Sequence, residues 1–249
     1  TPKSIPVLHV EGRSLAEAYE KALLQLYKKG VHFRTQYDKP GDPESIDCTM
    51  NITVHVPEND PMIHQAFPGG IEDLKEYVME LKGHKDHWVK NMNDAADTRW
   101  EYTYHGRLAS YGSWNEQENG QRVQAGHFSV DQIEGVLDKL VRQPYTRQAQ
   151  MITWMPQVDL SVYDPPCLQS LWYRILEGEA GEWWLNCNVR FRSNDAWGAS
   201  FMNMFGFIRF NREVIADELA KRTGKTVHLG RLNWHADSYH IYGRDIEKA

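Results

Sequence analysis

The 249 residues are 41% hydrophobic and 25% charged with a net charge of −6, which fits a folded domain and argues against a general nucleic-acid binder. No apolar run approaches the ~20 residues of a membrane-spanning helix, and no signal-peptide pattern opens the chain. The three cysteines include no CxxC pair, so neither a disulfide framework nor a zinc site is indicated, and a reducing cytoplasmic location is expected.

The first half of the chain predicts two amphipathic helices with a strand between them. SLAEAYEKALLQLYKKG begins with a Ser14/Glu17 capping box and stops at Gly30. CTMNITVHV predicts a strand, because apolar residues alternate along it. GGIEDLKEYVMELKG predicts a helix. Its expected inward residues are Ile71, Leu74, Val78 and Leu81. The segment 85–124 is poorly periodic and rich in Trp, Tyr and Asn.

The second half predicts a helix, three strands, a long helix and a final strand region. SVDQIEGVLDKLVRQP carries cap residues Ser129 and Gln132. Its expected inward residues are Val130, Ile133, Leu137 and Leu140. RQAQMITW, LQSLWYRIL and EWWLNCNVRFRS predict strands, a helix is expected over about 196–222 before Gly224, and VHLGRLNWHADSYHIYG predicts one or two strands. Without regular βαβ alternation, this order favours a single α+β domain over 1–249, with helices covering a central mixed sheet.

The strand LNCNVRFRS separates two chemically different faces. Its apolar residues point one way, while Asn186, Asn188, Arg190 and Arg192 point the other. The polar face is either a solvated outer surface or an anion site, because arginine forks match phosphate oxygens.

Cys167, in DPPCLQSL, differs from the other two cysteines. A strand cysteine is more often a small buried hydrophobe than a nucleophile, and Cys48 and Cys187 lie on apolar faces. Pro165 and Pro166 restrict the backbone just before Cys167. The arginine-bearing strand follows soon after, and a nearby guanidinium lowers a thiol pKa. Cys167 is therefore the candidate nucleophile.

Five motifs in order resemble the thymidylate synthase family, which includes the pyrimidine-nucleotide hydroxymethylases. They are EYVMELKG, DQIEGVLDKLVRQPYTRQ, PPCLQSL, LNCNVRFRSNDAWGASFMN and DSYHIYG, and they span about residues 70 to 243. Each motif is weak alone, but the order and spacing agree with the family. Asn203 follows Asp195 by eight positions and Glu76 precedes Gly83 by seven. The resemblance implies the thymidylate synthase fold and a homodimer.

The resemblance also implies covalent chemistry. C5 of uracil is a poor nucleophile until a thiolate adds to C6, and Cys167 would be that thiolate. The product would be dTMP, made from dUMP with 5,10-methylenetetrahydrofolate or a related methylene-tetrahydropterin. The alternative within the family is a 5-hydroxymethylase, in which water replaces hydride. A different class is a non-catalytic nucleotide or RNA binder, which would need neither Cys167 nor Glu76.

The resemblance assigns roles to further residues. The 5′-phosphate would be held by Arg192 and Ser193, and across the dimer by Arg147; Arg192 would also keep Cys167 ionised. The deoxyribose hydroxyl would be bound by His240 and Tyr242, the base by Asn203 and the pterin by Asp195; Glu76 would move protons, and Tyr104 would lie near the nucleophile. Plain alternatives stay open, with Glu76 an exposed helix carboxylate, Asn203 an ordinary helix residue, and His240 and Tyr242 routine strand residues. His84 and His87 favour a solvated loop over a metal site.

Several positions depart from the family pattern. Leu168 replaces a usual His, Phe191 a usual Gln, and Gln148 the second phosphate Arg. Arg34 is a weak match to an early phosphate loop. The sequence ends in RDIEKA without an apolar closing tail, which leaves the donor and the final step open. The pattern is closer to the compact archaeal or phage-type branches.

Overall fold

A mixed β-sheet organises the structure, a computed structural model that describes residues 3–90, 94, 96–112, 114–118, 121–125 and 129–249, with backbone alone for 114–118 and 121–125. The strands are β1 (Val7–Gly12), β2 (Val31–Phe33), β3 (Ser45–Val54), β4 (Trp114–Glu118), β5 (Gln121–Ala125), β6 (Ala149–Ile152), β7 (Leu168–Glu177), β8 (Trp183–Asp195) and β9 (Val227–Ile241). Within the described residues, seven strands share one sheet in the order β1-β3-β9-β8-β7-β6, β2 also pairs with β3, and β4 and β5 form a separate hairpin.

Helices pack on this sheet. They are α1 (Leu15–Lys29), α2 (Ile71–Leu81), α3 (Tyr104–Ala109), α4 (Gln132–Arg142), α5 (Pro156–Asp159), α6 (Ser200–Phe210) and α7 (Asp217–Thr223), with a π-helix over Asn211–Ala216 and a 3-10 turn over Gly243–Asp245. Strands β1 and β3 are parallel, as are β8 and β9, while the other pairs in the large sheet are antiparallel. The predicted α+β class, with helices over a central mixed sheet, is confirmed. None of the described helices is long and apolar enough to cross a membrane.

The core lies between the sheet and α6. Phe191 stacks on Trp234 with ring centroids 4.7 Å apart, and Phe207 meets both rings from α6. Alternation along β8 is as predicted, with Leu185, Cys187, Val189 and Phe191 buried. Because successive side chains of a strand point to opposite faces, Arg192 lies on the face away from this core.

Two helix predictions need correction. Ile71 is 59% exposed, and Tyr77 is buried together with the predicted Leu74 and Leu81. The rotation of α2 places the Tyr77 ring against Gly206 of α6, where an added Cβ would lie 2.3 Å from the ring. Val130 lies before α4 and is exposed. The N-cap of α4 is Asp131, whose side chain accepts from Glu134 N–H, so the predicted cap at Ser129 is wrong.

The two glycines predicted to end helices, Gly30 and Gly224, differ in backbone conformation. Gly224 has φ +71°, the left-handed conformation expected after a helix, and it ends the predicted long helix, which begins at Ser200 and runs through the π-helix. Gly30 has φ −65°, so no left-handed turn requires it. Its Cβ would lie 2.3 Å from Ile46 Cγ2, so close packing against β3 explains the glycine.

The poorly periodic segment 85–124 contains α3, and a buried ion pair anchors that helix. The Arg107 guanidinium donates to both Asp159 carboxylate oxygens at 2.8 and 2.9 Å and to the Thr153 carbonyl at 2.9 Å. Residues 91–93, 95, 113, 119 and 120 of this segment lie outside the described residues. The ion pair fixes the position of α3, whose first residue is Tyr104.

Candidate active site

Cys167 stands immediately before β7, where the Pro-Pro approach meets the sheet. Its main-chain carbonyl accepts from the Arg192 N–H at 2.8 Å. The Arg192 side chain donates from Nε to the Pro166 carbonyl at 2.9 Å and from Nη2 to the Pro165 carbonyl at 2.6 Å. The rigid segment is therefore held by three hydrogen bonds from one residue of β8, which brings the predicted nucleophile and the predicted phosphate arginine together.

The Cys167 thiol is the accessible one of the three. Cys48 and Cys187 are buried, and burial raises the pKa of each thiol to about 12. Cys167 is partly exposed. Burial raises the Cys167 pKa above its ordinary value; the Arg192 charge opposes this shift, and the Asp164 charge adds to it. Arg192 therefore acts in the predicted direction on this thiol, while desolvation acts more strongly in the opposite one.

Three tyrosines cluster beside this thiol. The Tyr104 ring meets Phe191 edge-on at 6.3 Å, and the Tyr102 ring lies 5.9 Å from Tyr104. Burial raises the pKa of Tyr104, and the proximity of Cys167 raises it further. Burial likewise raises the pKa of Tyr77, with smaller contributions from Tyr104 and Cys167. Tyr104 thus lies near the predicted nucleophile; the proximity of Tyr77 and Tyr102 was not predicted from the sequence.

Asn203 lies in α6 with its amide in a buried hydrogen-bond chain. Its Nδ2 donates to the Tyr77 hydroxyl at 2.8 Å, and its Oδ1 accepts from Asn194 Nδ2 at 3.0 Å. Asn194 Oδ1 in turn accepts from Trp234 Nε1 at 3.1 Å. Asn203 is therefore a buried residue whose amide is bonded at both its nitrogen and its oxygen. The chain joins α2, α6, β8 and β9 at one point.

His240 and Tyr242 stand at the end of β9. Their ring centroids are 4.9 Å apart. Ser238 donates to Asp47 Oδ1 at 2.9 Å and lies 3.1 Å from His240 Nδ1. Because the hydroxyl has a single hydrogen, it accepts from Nδ1–H, which leaves Nε2 of neutral His240 as an acceptor. Burial lowers the His240 pKa, and Asp195 and Asp47 only partly oppose the shift.

The two carboxylates of EYVMELKG differ in environment. The Glu76 side chain is 58% exposed and its Oε1 lies 3.0 Å from Lys85 Nζ. Glu80, one turn later, lines a cavity of about 400 Å³. Burial raises the Glu80 pKa to about 6, with a further contribution from the Glu76 charge. The motif contained both glutamates, but spacing selected only Glu76.

The cavity beside Glu80 is aromatic and charged. Its lining residues are Tyr77, Glu80, Leu81, Lys90, Arg99, Trp100, Glu101, Tyr102, Thr103, Tyr104, Tyr163 and Asp164. It therefore adjoins the Cys167 cluster through Tyr77 and Tyr104. Asp195, the predicted pterin contact, is not in this lining set and accepts instead from the Gly198 N–H at 2.9 Å.

The other predicted phosphate residues lie at the ends of strands. Arg147 is exposed just before β6, and its carbonyl accepts from Trp172 Nε1 at 3.0 Å. Ser193 lies in β8 opposite Ser238. Gln148, at the position of the missing second arginine, accepts from Lys139 Nζ at 3.0 Å. The ammonium group of Lys139 in α4 therefore lies beside the position at which the usual second phosphate arginine is replaced by Gln148.

Two further sequence hypotheses concern Arg34 and the histidine pair. Arg34 donates to the Asp42 carbonyl at 2.6 Å in an exposed loop whose Tyr37 ring meets Tyr242 at 6.0 Å. Over the described part of the chain, no group of three or more His, Cys, Asp or Glu side chains could hold a metal ion. His84 and His87 are among the described residues.

Comparison with known proteins places this geometry in a family. The family model described as thymidylate synthase matches residues 72–249. A Methanosarcina acetivorans protein named "Putative thymidylate synthase" is 32% identical over 236 residues, covering 95% of this chain and 90% of that protein. One of the same name from Methanocaldococcus jannaschii is 28% identical over 250 residues, covering 97% and 94%.

A solved structure extends the likeness to three dimensions. Thermostable thymidylate synthase A from Bacillus subtilis matches with a TM-score of 0.64 at 19% identity, over 94% of this chain and 82% of that one. At that identity the match shows a shared fold. With the family model covering most of the chain, the resemblance seen in the sequence is confirmed: the chain belongs to the thymidylate synthase family.

Proposed function

We propose that this protein transfers a one-carbon unit to C5 of a pyrimidine nucleoside monophosphate, and that it methylates dUMP to dTMP. The observation that carries the proposal is the fixation of Cys167 by Arg192, in a chain of this family. A nucleophile must meet its target at near-attack distance, and a rigid approach reduces the entropy lost in reaching it.

The reaction begins at Cys167. Its thiolate attacks C6, the sulfur–carbon bond forms, and the C5–C6 π electrons move onto C5 and the O4 carbonyl. C5 then bonds to the one-carbon unit. Removal of the C5 proton and departure of the donor's nitrogen from the one-carbon unit leave an exocyclic methylene on C5, with the sulfur still bonded to C6. Addition of hydride to this methylene re-forms the C5–C6 double bond, breaks the sulfur–C6 bond and returns the thiolate. A bound methylene-tetrahydropterin supplies both the carbon and the hydride that completes the methyl group.

The nucleotide is held at three places. Arg192 has five N–H donors, and two of them bind the proline carbonyls, so three remain for the 5′-phosphate with Ser193. His240 Nε2 accepts a hydrogen bond from the deoxyribose hydroxyl, and Tyr242 is a second contact of that hydroxyl. Asn203 reads the base by donating to O4 and accepting from N3–H.

Protons are moved by carboxylates on α2. Glu76 is the assigned residue by its place in the motif. Glu80 is a second acidic group that lines the adjoining cavity. A carboxyl whose pKa lies near 6 exchanges protons more readily at neutral pH than one at its ordinary value.

The cavity fits a reduced pterin by its chemistry. A flat bicyclic ring needs aromatic faces, and Trp100, Tyr102 and Tyr104 supply them. The amino and N3–H edge of a pterin needs carboxylate acceptors, which Glu80 and Glu101 provide. These residues would hold the donor, with Asp195 as the additional contact predicted from the motif.

The proposed assembly is a cytoplasmic homodimer with a shared phosphate site. Arg147 is exposed and its guanidinium forms no ion pair with any described residue, so it is free to reach the phosphate bound by a second copy. Two-fold symmetric pairs place the same residue at both sites. The free thiols suit a reducing compartment.

One experiment separates the candidate reactions. The protein is incubated with dUMP, dCMP, UMP and CMP separately, each with methylenetetrahydrofolate, and the nucleotide products are weighed by mass spectrometry. Methylation adds one CH₂ to dUMP, whereas hydroxymethylation adds one CH₂O. A non-catalytic binder would leave every mass unchanged and would release no C5 proton. That last result would refute the proposal.

A further inference from the structure

A buried chain of hydrogen bonds runs behind Asn203. Trp234 Nε1 donates to Asn194 Oδ1 at 3.1 Å, Asn194 Nδ2 donates to Asn203 Oδ1 at 3.0 Å, and Asn203 Nδ2 donates to the Tyr77 hydroxyl at 2.8 Å. All four residues are buried, with exposed fractions between 0 and 7%. In such surroundings an amide turned the wrong way would place like groups face to face, which is costly.

Trp234 sets the direction of this chain. An indole N–H can only donate, so Asn194 must turn its oxygen toward Trp234. The Asn194 amide nitrogen then faces Asn203, which must accept the hydrogen bond with its own side-chain oxygen. Tyr77 imposes no direction, because a hydroxyl accepts or donates equally well. The orientation of the Asn203 amide is therefore decided at Trp234 and transmitted by Asn194.

We propose that Asn194, oriented by Trp234, is a positioning residue that sets base preference by fixing the flip of Asn203. The inference rests on the proposed function, in which Asn203 reads the base. The chain uses one hydrogen and one lone pair of the Asn203 amide. One hydrogen and one lone pair remain, and their order along the amide edge is fixed.

The fixed order suits uracil. Uracil presents an acceptor at O4 beside a donor at N3–H, whereas cytosine presents a donor at the 4-amino group beside an acceptor at N3. A flipped Asn203 amide would exchange the positions of its free hydrogen and lone pair and would then match cytosine. A site built on such pairs discriminates strongly, because the wrong base leaves buried groups unpaired. Asn194 thus favours uracil without touching it.

The test uses two substitutions in the Cys167→Ala background, where binding is measured without turnover. Asn194→Leu removes the partner that fixes Asn203. Asn194→Asp, when ionised, accepts from Trp234 and also from Asn203 Nδ2, so it imposes the flip. Calorimetry gives Kd for dUMP and dCMP. In Asn194→Leu, the Kd for dCMP divided by the Kd for dUMP should fall about 10-fold or more. In Asn194→Asp, the Kd for dCMP itself should be lower than in the Cys167→Ala chain without a second substitution.

A merely structural role for Asn194 would weaken both nucleotides equally and leave the ratio unchanged. Asn211→Asp is the matched control, since Asn211 is equally buried and its Oδ1 accepts from the Tyr173 hydroxyl at 2.7 Å. If Asn194→Leu does not fold, Trp234→Phe carries the same test by removing the donor that sets the direction.

The outcomes separate this inference from the proposed function. A wild-type ratio in both folded Asn194 variants would overturn the positioning role while leaving the reaction intact. Failure of the otherwise wild-type Cys167→Ala chain to bind either nucleotide would instead remove the proposed function. A lower ratio in Asn194→Leu, with the Asn211→Asp ratio unchanged, is the supporting result.

Discussion

The main-chain N–H of Arg192 donates to the main-chain carbonyl of Cys167 at 2.8 Å. This bond joins the first position before β7 to β8, so the predicted nucleophile and the predicted anion-binding residue are placed by the backbone of the sheet. Either side chain can therefore be replaced without removing the bond. That separation makes the two roles testable one at a time.

Cys167→Ala should abolish turnover and leave nucleotide affinity largely intact, because the predicted phosphate and sugar contacts come from other residues. Steady-state kinetics and calorimetry with dUMP measure the two properties. Cys48→Ala is the control. It removes a buried thiol on the apolar face of β3 and should cost stability while keeping activity. Near-normal turnover in Cys167→Ala would show that the nucleophile assignment is wrong.

Arg192→Ala should raise KM for dUMP about 10-fold or more, since a charged hydrogen bond contributes about 1.5–3 kcal/mol. It should also lower kcat. The guanidinium lowers the Cys167 pKa and holds the two proline carbonyls, and both effects are lost. Arg190→Ala is the matched control on the same strand face, where the side chain is exposed and pairs with Asp237. Equal kinetics in the two variants would contradict the assignment.

Arg147→Ala and Cys167→Ala chains should each be inactive and should regain activity when mixed. In a heterodimer of a two-fold shared site, one site receives Arg147 from one subunit and Cys167 from the other. Recovery of up to half of the wild-type activity per dimer is expected in purified heterodimers, because one of the two sites is intact, and each subunit carries a different tag so that heterodimers can be isolated. No recovery in verified heterodimers would remove the shared phosphate site.

Features that depend on a local sequence pattern could be predicted from the sequence alone. Strand alternation indicates which face of β8 is apolar, and the burial of its residues confirms it. Two prolines draw attention to Cys167, which stays the predicted nucleophile. The hydrogen-bond chain around Asn203 was missed, because Tyr77, Asn194 and Trp234 come from three different elements that only folding brings together. The burial of Glu80 was missed for a related reason, since it depends on how α2 is rotated against Gly206.

Glu80→Gln should change the pH dependence of stability. The pKa of the folded-state carboxyl is about 6 against an ordinary 4.5. Ionisation is penalised in the folded state, so the contribution of the group to stability is present below pH 4.5 and lost as pH rises through 6. The unfolding free energy of Glu80→Gln, relative to that of wild type, should therefore rise by about 1 kcal/mol over that pH window. The full effect would be larger, but the side chain is partly exposed and solvent screens its charge.

Urea titrations at several pH values measure this difference. Glu72→Gln is the control, because Glu72 lies on the same helix with its side chain 86% exposed and paired with Lys75. The unfolding free energy of Glu72→Gln, plotted against pH, should run parallel to that of wild type. Parallel curves for Glu80→Gln as well would mean that Glu80 titrates normally in the folded protein.

Asn203→Asp should narrow or reverse the preference for dUMP over dCMP. The Asn203 amide can donate to O4 and accept from N3–H of uracil at once. An Asp carboxylate accepts from the cytosine amino group and, when protonated, donates to N3. It also keeps its place in the hydrogen-bond chain, because it still accepts from Asn194 Nδ2 and can accept from the Tyr77 hydroxyl. The substitution therefore exchanges the base-reading edge while preserving the local fold.

The measurement is kcat/KM for the two nucleotides in competition, with wild type expected to favour dUMP by up to ~10⁴. Asn211→Asp makes the same chemical change at a buried position away from Asn203 and should leave the ratio alone. A wild-type preference for dCMP would move the proposed reaction to a cytidylate hydroxymethylase. An unchanged ratio in Asn203→Asp would show instead that Asn203 does not read the base, and the role proposed for Asn194 would then lose its target.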